Sequence, residues 1–320
     1  MSPKPVALRL PYREPYDFAG LLGFLARRSI PEVEAADERR YRRVLAGGKA
    51  WIEVAHADEG PAVTLRMHGV PARERAAVAA RARAVFDLDA DPAPINKALR
   101  RVPLLRPSVR RHPGLRVVGS WDGFDLAVRA VLGQQISVAA ARTLAVRLVR
   151  RYGLALAADA PHGITHAFPA PEALAEASFE GIGTTRNVAE TLRGIARATA
   201  EGRLSFDPEQ PLDEFVARFT ALRGIGPWSA HYVAMRALRH ADAFPASDLV
   251  LCQVAGAPGP ALKPRALEDL AEPWRPYRSY AVMHLWRMAV EAQAKRALQA
   301  TRTADSRDQR EGKGPRPVRR

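Results

Sequence analysis

The sequence is short of cysteine, of acids and of long apolar runs, and each shortage excludes something. Cys252 is the single cysteine. That rules out a disulfide framework within the chain and a four-cysteine iron–sulfur cluster. The Pro-Cys-x-x-Cys of zinc deaminases is missing too. A reducing, cytoplasmic setting is the expectation. No apolar run approaches membrane-spanning length and the N-terminus lacks an apolar leader core, so no membrane partner is expected. Acids number 34 against 49 lysines and arginines, a net charge of +15. The excess favours a polyanionic partner, although an arginine-rich composition accounts for part of it. The 47% apolar content is that of an ordinary globular protein, and 320 residues allow two or three domains.

The most informative stretch is Leu222-Arg-Gly-Ile-Gly-Pro-Trp-Ser-Ala-His-Tyr-Val-Ala-Met235. Gly224 and Gly226 separate two helical patterns, and glycine tolerates positive φ and close backbone approach. Ile225 is placed to plug the turn onto a core. Pro227 suits the first turn of the following helix. The free N–H groups at that helix start form a phosphate site, with Arg223, Gly224, Ile225, Gly226 and Ser229 as the candidate strand-binding residues. A tight connection without function is the bland alternative. Asp248 follows Gly226 by 22 positions, after a proline-containing loop. It reads either as a helix N-cap or as a functional carboxylate, and the two roles are compatible.

The rest of the chain divides by pattern. Residues 1 to about 95 read as a small α+β domain. Val6/Leu8/Leu10 alternate, Asp17–Arg28 has helical spacing, and Ile52/Val54 and Val63/Leu65/Met67 alternate around an Asp58-Glu59-Gly60 turn. Residues 96–117 carry seven bases, no acid and three prolines, and read as a basic linker. Residues 118–298 read as all-α, in two lobes. Inside the long pattern from Ser120 to Gly153, Gly133-Gln134-Gln135 predicts a break. Gly181-Ile-Gly183 is a second turn of similar form. Residues 299–320 read as a disordered basic tail.

The hairpin, the loop and Asp248 together resemble the helix-hairpin-helix, Gly/Pro-loop and Asp superfamily of DNA glycosylases. The nearest branch is the DNA-3-methyladenine glycosylase II family, which acts in alkylation repair. The resemblance covers about Leu8 to Ala294. It implies a TATA-binding-like N-terminal α+β domain, an all-α glycosylase body, and double-stranded damaged DNA as the partner of a monomer without a cofactor. It further implies Asp248 as catalyst, a wedge at Gln134 or Gln135, and a monovalent cation on the hairpin carbonyls of Leu222–Gly226. The base pocket would use Phe24, Trp228, Tyr232 and Tyr277, the last where the family has a stacking tryptophan. Bifunctional relatives carry a lysine where this chain has Trp228, which implies a hydrolase that does not nick the strand. Arg223 departs from the proline common in the hairpin. A glycosylase for oxidised or deaminated bases and a non-catalytic damage-binding module remain the rival readings.

Overall fold

A computed structural model of the chain describes residues 5–156 and 163–311. The first part is a five-stranded antiparallel sheet with helices packed on it. In chain order the elements are β1 (Val6–Pro11), α1 (Phe18–Ala26), β2 (Glu34–Ala36), β3 (Arg40–Val44), β4 (Trp51–His56), β5 (Ala62–His68) and α2 (Arg75–Val85). The strand order is β1-β5-β4-β3-β2. Alternation decides the buried face: Ile52, Val54, Val63, Leu65 and Met67 all point into the core. Asp17 caps α1 by accepting from the Gly20 N–H at 2.8 Å.

The body is helical. It contains α3 (Pro92–Leu99), α4 (Arg106–Arg111), α5 (Gly123–Leu132), α6 (Val138–Tyr152), a two-residue strand pair β6 (Leu154–Ala155) and β7 (His166–Ala167), α7 (Pro171–Ala175) and α8 (Arg186–Ala200). Then come α9 (Leu212–Thr220), α10 (Pro227–Arg236), α11 (Leu249–Gly256), α12 (Pro264–Ala271) and α13 (Arg278–Glu311). The fold class is thus the expected small α+β portion followed by a helical body. Among the described residues no helix is long and apolar enough to cross a membrane.

Three local expectations need correction. Residues 96–117 are not an open linker: they hold the end of α3 and all of α4, with Leu99, Leu105 and Val109 fully buried. Of the three prolines there, Pro107 stands in the first turn of α4, where a missing N–H is harmless, and Pro103 and Pro113 lie in the connections on either side of that helix. The body is not free of strands, since β6 and β7 pair briefly. The C-terminal segment, expected to be disordered from residue 299, continues α13 as far as Glu311, and residues 312–320 lie outside the described residues.

The sheet is fastened to the body by a buried ionic cluster. Arg43 of β3 bridges Glu34 of β2 at 2.8 Å and Asp125 of α5 at 2.7 Å. Arg129 of α5 bridges the same two acids, at 2.6 and 2.5 Å. Two charges of each sign cancel, and Tyr41 adds a hydrogen bond to Glu34. Burial alone would raise the Glu34 carboxyl. Arg129 and Arg43 overcome it and hold Glu34 at about 2.

A second buried acid behaves oppositely. Asp87 sits at φ +49° and accepts from Tyr280 Oη at 2.9 Å and from the Val117 N–H at 3.4 Å. Burial pushes its carboxyl up to about 6. Such a group binds its proton more tightly when folded. Its contribution is therefore full below the ordinary carboxylate range and is lost as pH rises through about 6. Asp87→Asn removes that loss. The variant is expected to gain about 2–3 kcal/mol on the wild type between about pH 4 and about pH 7. Urea midpoints at both pH values check this, and an equal gap at the two would acquit Asp87.

Candidate active site

The hairpin is built as its glycines require. The chain leaves α9, turns through Leu222–Gly226 and enters α10 at Pro227. Gly224 has φ +83°, and a Cβ there would collide with the Thr191 hydroxyl of α8. Gly226 is different. Its backbone is extended, φ −99°, and a Cβ would meet nothing within 4 Å. Inside the protein Gly226 has no steric reason to be glycine, so the open space beside it is where a strand backbone would come close. No side chain caps the start of α10. Ile225 is buried as the plug.

Two hairpin candidates are placed differently from a free binding surface. Ser229 is buried, and its Oγ accepts from Gln134 Nε2 at 3.0 Å. Arg223 is exposed and paired with Glu190 at 2.7 Å. Leu222 O and Gly224 O accept from the Ile225 N–H and Gln134 Nε2 at 3.1 Å each. Each carbonyl keeps a second lone pair, which fits the monovalent cation that the resemblance implies.

The two glutamines separate cleanly. Gln134 is tied to the hairpin by the two bonds just given. Gln135 is exposed, with φ +60°. It lies between α5 and α6 beside the exposed Ile136 and Val138. Gln134 therefore aligns this turn with the hairpin, and Gln135 is the side chain that projects.

Asp248 caps α11. Its Oδ1 accepts from the Leu251 N–H at 3.0 Å, and its Oδ2 accepts from Trp228 Nε1 at 3.1 Å. Trp286 Nε1 approaches Oδ1 at 3.5 Å. The residue is 8% exposed. Asp248 is thus an N-cap whose two oxygens are also held by indoles. The preceding loop is stapled to the start of α13. Arg278 donates to both Asp242 oxygens at 2.9 and 2.8 Å, and Ser279 Oγ donates to His240 O and Ala243 O. Asp242 is one of the anchors of that loop.

The aromatic expectations are partly met. Trp228 and Tyr232 stack at 5.1 Å with planes 9° apart. Phe24 joins them through Trp286, whose ring centre is 6.2 Å from each of Phe24 and Tyr232. Trp286 also lines a cleft between α1 and α13 with Leu21, Phe24, Arg28, Val118 and Met283. Tyr277 is not in this group. Its ring packs edge-on against Tyr280, 6.3 Å away. Trp286, nine residues further along, is the ring that stands between Phe24 and Tyr232. Its helical register among buried residues gave no local cue to this position. Burial alone would raise the Tyr232 phenol, but the guanidinium groups of Arg236 and Arg28 hold it below its usual range.

Comparison with known proteins places these features in context. The family described as the AlkA N-terminal domain matches residues 7–122. The "probable bifunctional transcriptional activator/DNA repair enzyme AlkA" of Mycobacterium tuberculosis is 38% identical over 283 residues, 88% of this chain. The chain spans 56% of that longer relative. The DNA-3-methyladenine glycosylase 2 of Escherichia coli is 34% identical over 87% of this chain and 95% of its own length. Among solved structures, a 3-methyladenine DNA-glycosylase from Archaeoglobus fulgidus superposes with a TM-score of 0.75 at 22% identity, covering 87% of this chain and 96% of that one. An 8-oxoguanine glycosylase/lyase from Clostridium acetobutylicum gives 0.63 at 21%, over 79% and 86%. At that identity the two structures speak for a shared fold.

The two hairpin glycines should respond differently to a methyl group. Gly224→Ala meets both the positive φ and the Thr191 hydroxyl, and is expected to cost roughly 1–3 kcal/mol of stability. Gly226→Ala should stay within about 1 kcal/mol. Thermal unfolding of both proteins without DNA decides it; equal stability would remove the steric account of Gly224.

Proposed function

The chain belongs to the DNA-3-methyladenine glycosylase 2 (AlkA) family, and from that membership and the site geometry we propose that it is a monofunctional glycosylase releasing alkylated purines from duplex DNA. The observation that carries the proposal is the Asp248 carboxylate, held by the Leu251 N–H and by Trp228 and Trp286 within a nearly closed aromatic site.

A base within a duplex is stacked, so it must leave the helix before its glycosidic bond is cut. The N–H groups after Gly226 grip the strand without reading sequence. Gln135 fills the gap left by the flipped base. A cation on the free lone pairs of the Leu222 and Gly224 carbonyls would add positive charge facing a phosphate. As the base departs, C1′ of the sugar becomes oxocarbenium-like. An anionic oxygen fixed beside it stabilises that charge, and the small exposure of Asp248 to water keeps the effect from being screened. The same oxygen can take a proton from the attacking water. The indole donors hold Asp248 in place, so little reorganisation is needed as charge develops. Trp228 has no nucleophilic amine, so the chemistry stops at an abasic site. Alkylation at N3 or N7 makes the base a cationic leaving group, which needs no general acid, and the rings of Phe24, Tyr232 and Trp286 attract such a cation.

Duplexes holding 3-methyladenine, 7-methylguanine, hypoxanthine or 8-oxoguanine, incubated with the protein and then heated in alkali, test the proposal. Cleavage is expected first at the methylated purines. Cleavage confined to 8-oxoguanine would favour the oxidised-base reading, and binding without cleavage would favour a non-catalytic module.

Asp248→Asn is expected to keep DNA affinity and to lose turnover by on the order of 10²–10³. Turnover within a few-fold of wild type would mean the catalyst is another residue. Trp228→Phe keeps the stack and removes one donor to the carboxylate. A fall in turnover on the order of ten-fold is expected, with binding little changed. Borohydride should trap no protein–DNA adduct, and a trapped species would overturn the hydrolase assignment.

A further inference from the structure

The aromatic cage beside Asp248 already contains a positive charge. The Arg28 guanidinium carbon lies 3.8 Å from the centre of the Phe24 ring. Arg236 stands 5.0 Å from the same ring and 5.5 Å from Tyr232, and donates to the Tyr232 hydroxyl at 2.7 Å. Phe24 stacks on Trp286, whose indole reaches Asp248.

Arg28 is no loose surface cation. Arg129 of α5 donates to its carbonyl at 3.2 Å, and Arg142 of α6 donates to the next carbonyl, Ser29 O, at 2.8 Å. The backbone that carries Arg28 is therefore clamped to the body. Burial, with Arg236 and Arg27 nearby, pushes the guanidinium down to about 10, and contact with Tyr232 opposes the shift. A cation at this position is retained against those costs by its ring and phenol contacts.

We infer that Arg28 sets the charge selectivity of the base pocket: a cationic lesion entering the cage meets a resident like charge over Phe24, whereas a neutral lesion of similar size does not. This rests on the glycosylase reading and refines it. The attraction of the rings for a cation is in part already satisfied by Arg28. The cage is then less partial to alkylated, positively charged bases than its aromatic content alone implies. Neutral lesions gain in relative rate.

The test is a ratio. Excision of 7-methylguanine, charged in DNA, and of 1,N6-ethenoadenine, neutral, is measured in the same duplex with wild type, Arg28→Met and Arg28→Lys. In Arg28→Met the charged-to-neutral ratio of kcat/KM should rise by about five-fold or more. In Arg28→Lys, which keeps the charge, it should stay within about two-fold. Partial unfolding lowers both rates alike and leaves the ratio unmoved. An unchanged ratio in Arg28→Met overturns the inference.

A second measurement uses the unaltered full chain. Binding of the 3,9-dimethyladeninium cation and of neutral 9-methyladenine is followed by tryptophan fluorescence. The cation should bind no better than the neutral base. A cation bound about ten-fold tighter would mean that Arg28 does not govern charge in the cage. If the wild type excises neither lesion, the glycosylase reading has failed, and the binding comparison still decides the role of Arg28.

Discussion

A carboxylate held nearly out of water, in a protein suited to a polyanion, is the constraint on which this structure turns. Placed near phosphates, Asp248 would be repelled by the partner, and burial penalises its charge. The fold answers both costs locally. The start of α11 contributes a backbone N–H and the positive end of a helix dipole, and Trp228 and Trp286 contribute indole donors. These donors are neutral, so they fix the oxygens without cancelling the charge. An arginine in their place would bind the carboxylate more tightly and spend the very charge a developing cation needs.

Those donors come from distant parts of the chain. Trp228 belongs to the hairpin helix, and Trp286 to α13. The loop before Asp248 is held between them. His231 of α10 accepts from the Phe244 N–H at 3.3 Å, and Arg278 and Ser279 of α13 grip Asp242 and its neighbours. The hairpin and Asp248 thus share one frame. Gln134 extends it to the turn between α5 and α6 through its bonds to Gly224 and Ser229.

The N-terminal part contributes Phe24 of α1 and Arg28 just after that helix. Their position depends on the cluster of Glu34, Arg43, Asp125 and Arg129. A buried set of charges like this one often adds little net stability, because desolvation offsets attraction. It does impose direction, since each guanidinium has one good arrangement against two carboxylates. Arg129 also donates to the Arg28 carbonyl. The same side chain therefore docks the domain and sets one wall of the pocket.

Much of this was legible in one dimension, for reasons that differ by residue. Gly224 could be read because a turn between two helical patterns calls for glycine's backbone freedom; its contact with Thr191 could not. The position of Asp248 after the hairpin left cap and functional carboxylate both open, and the resemblance pointed to the acid and to Trp228 with Tyr232. The alternating strands of the sheet followed from their two-residue period. The helices of residues 92–111 were hidden because their prolines stand at first-turn positions and read as breaks. Trp286 was hidden because α13 is buried on that stretch, so its apolar pattern reports packing and not function. Local chemistry alone determined the hairpin and the fold class, since backbone freedom and periodicity are properties of neighbouring residues. Tertiary structure decided which tryptophan faces Asp248, which glutamine projects, and that a guanidinium rests on Phe24, since each depends on where two distant segments meet.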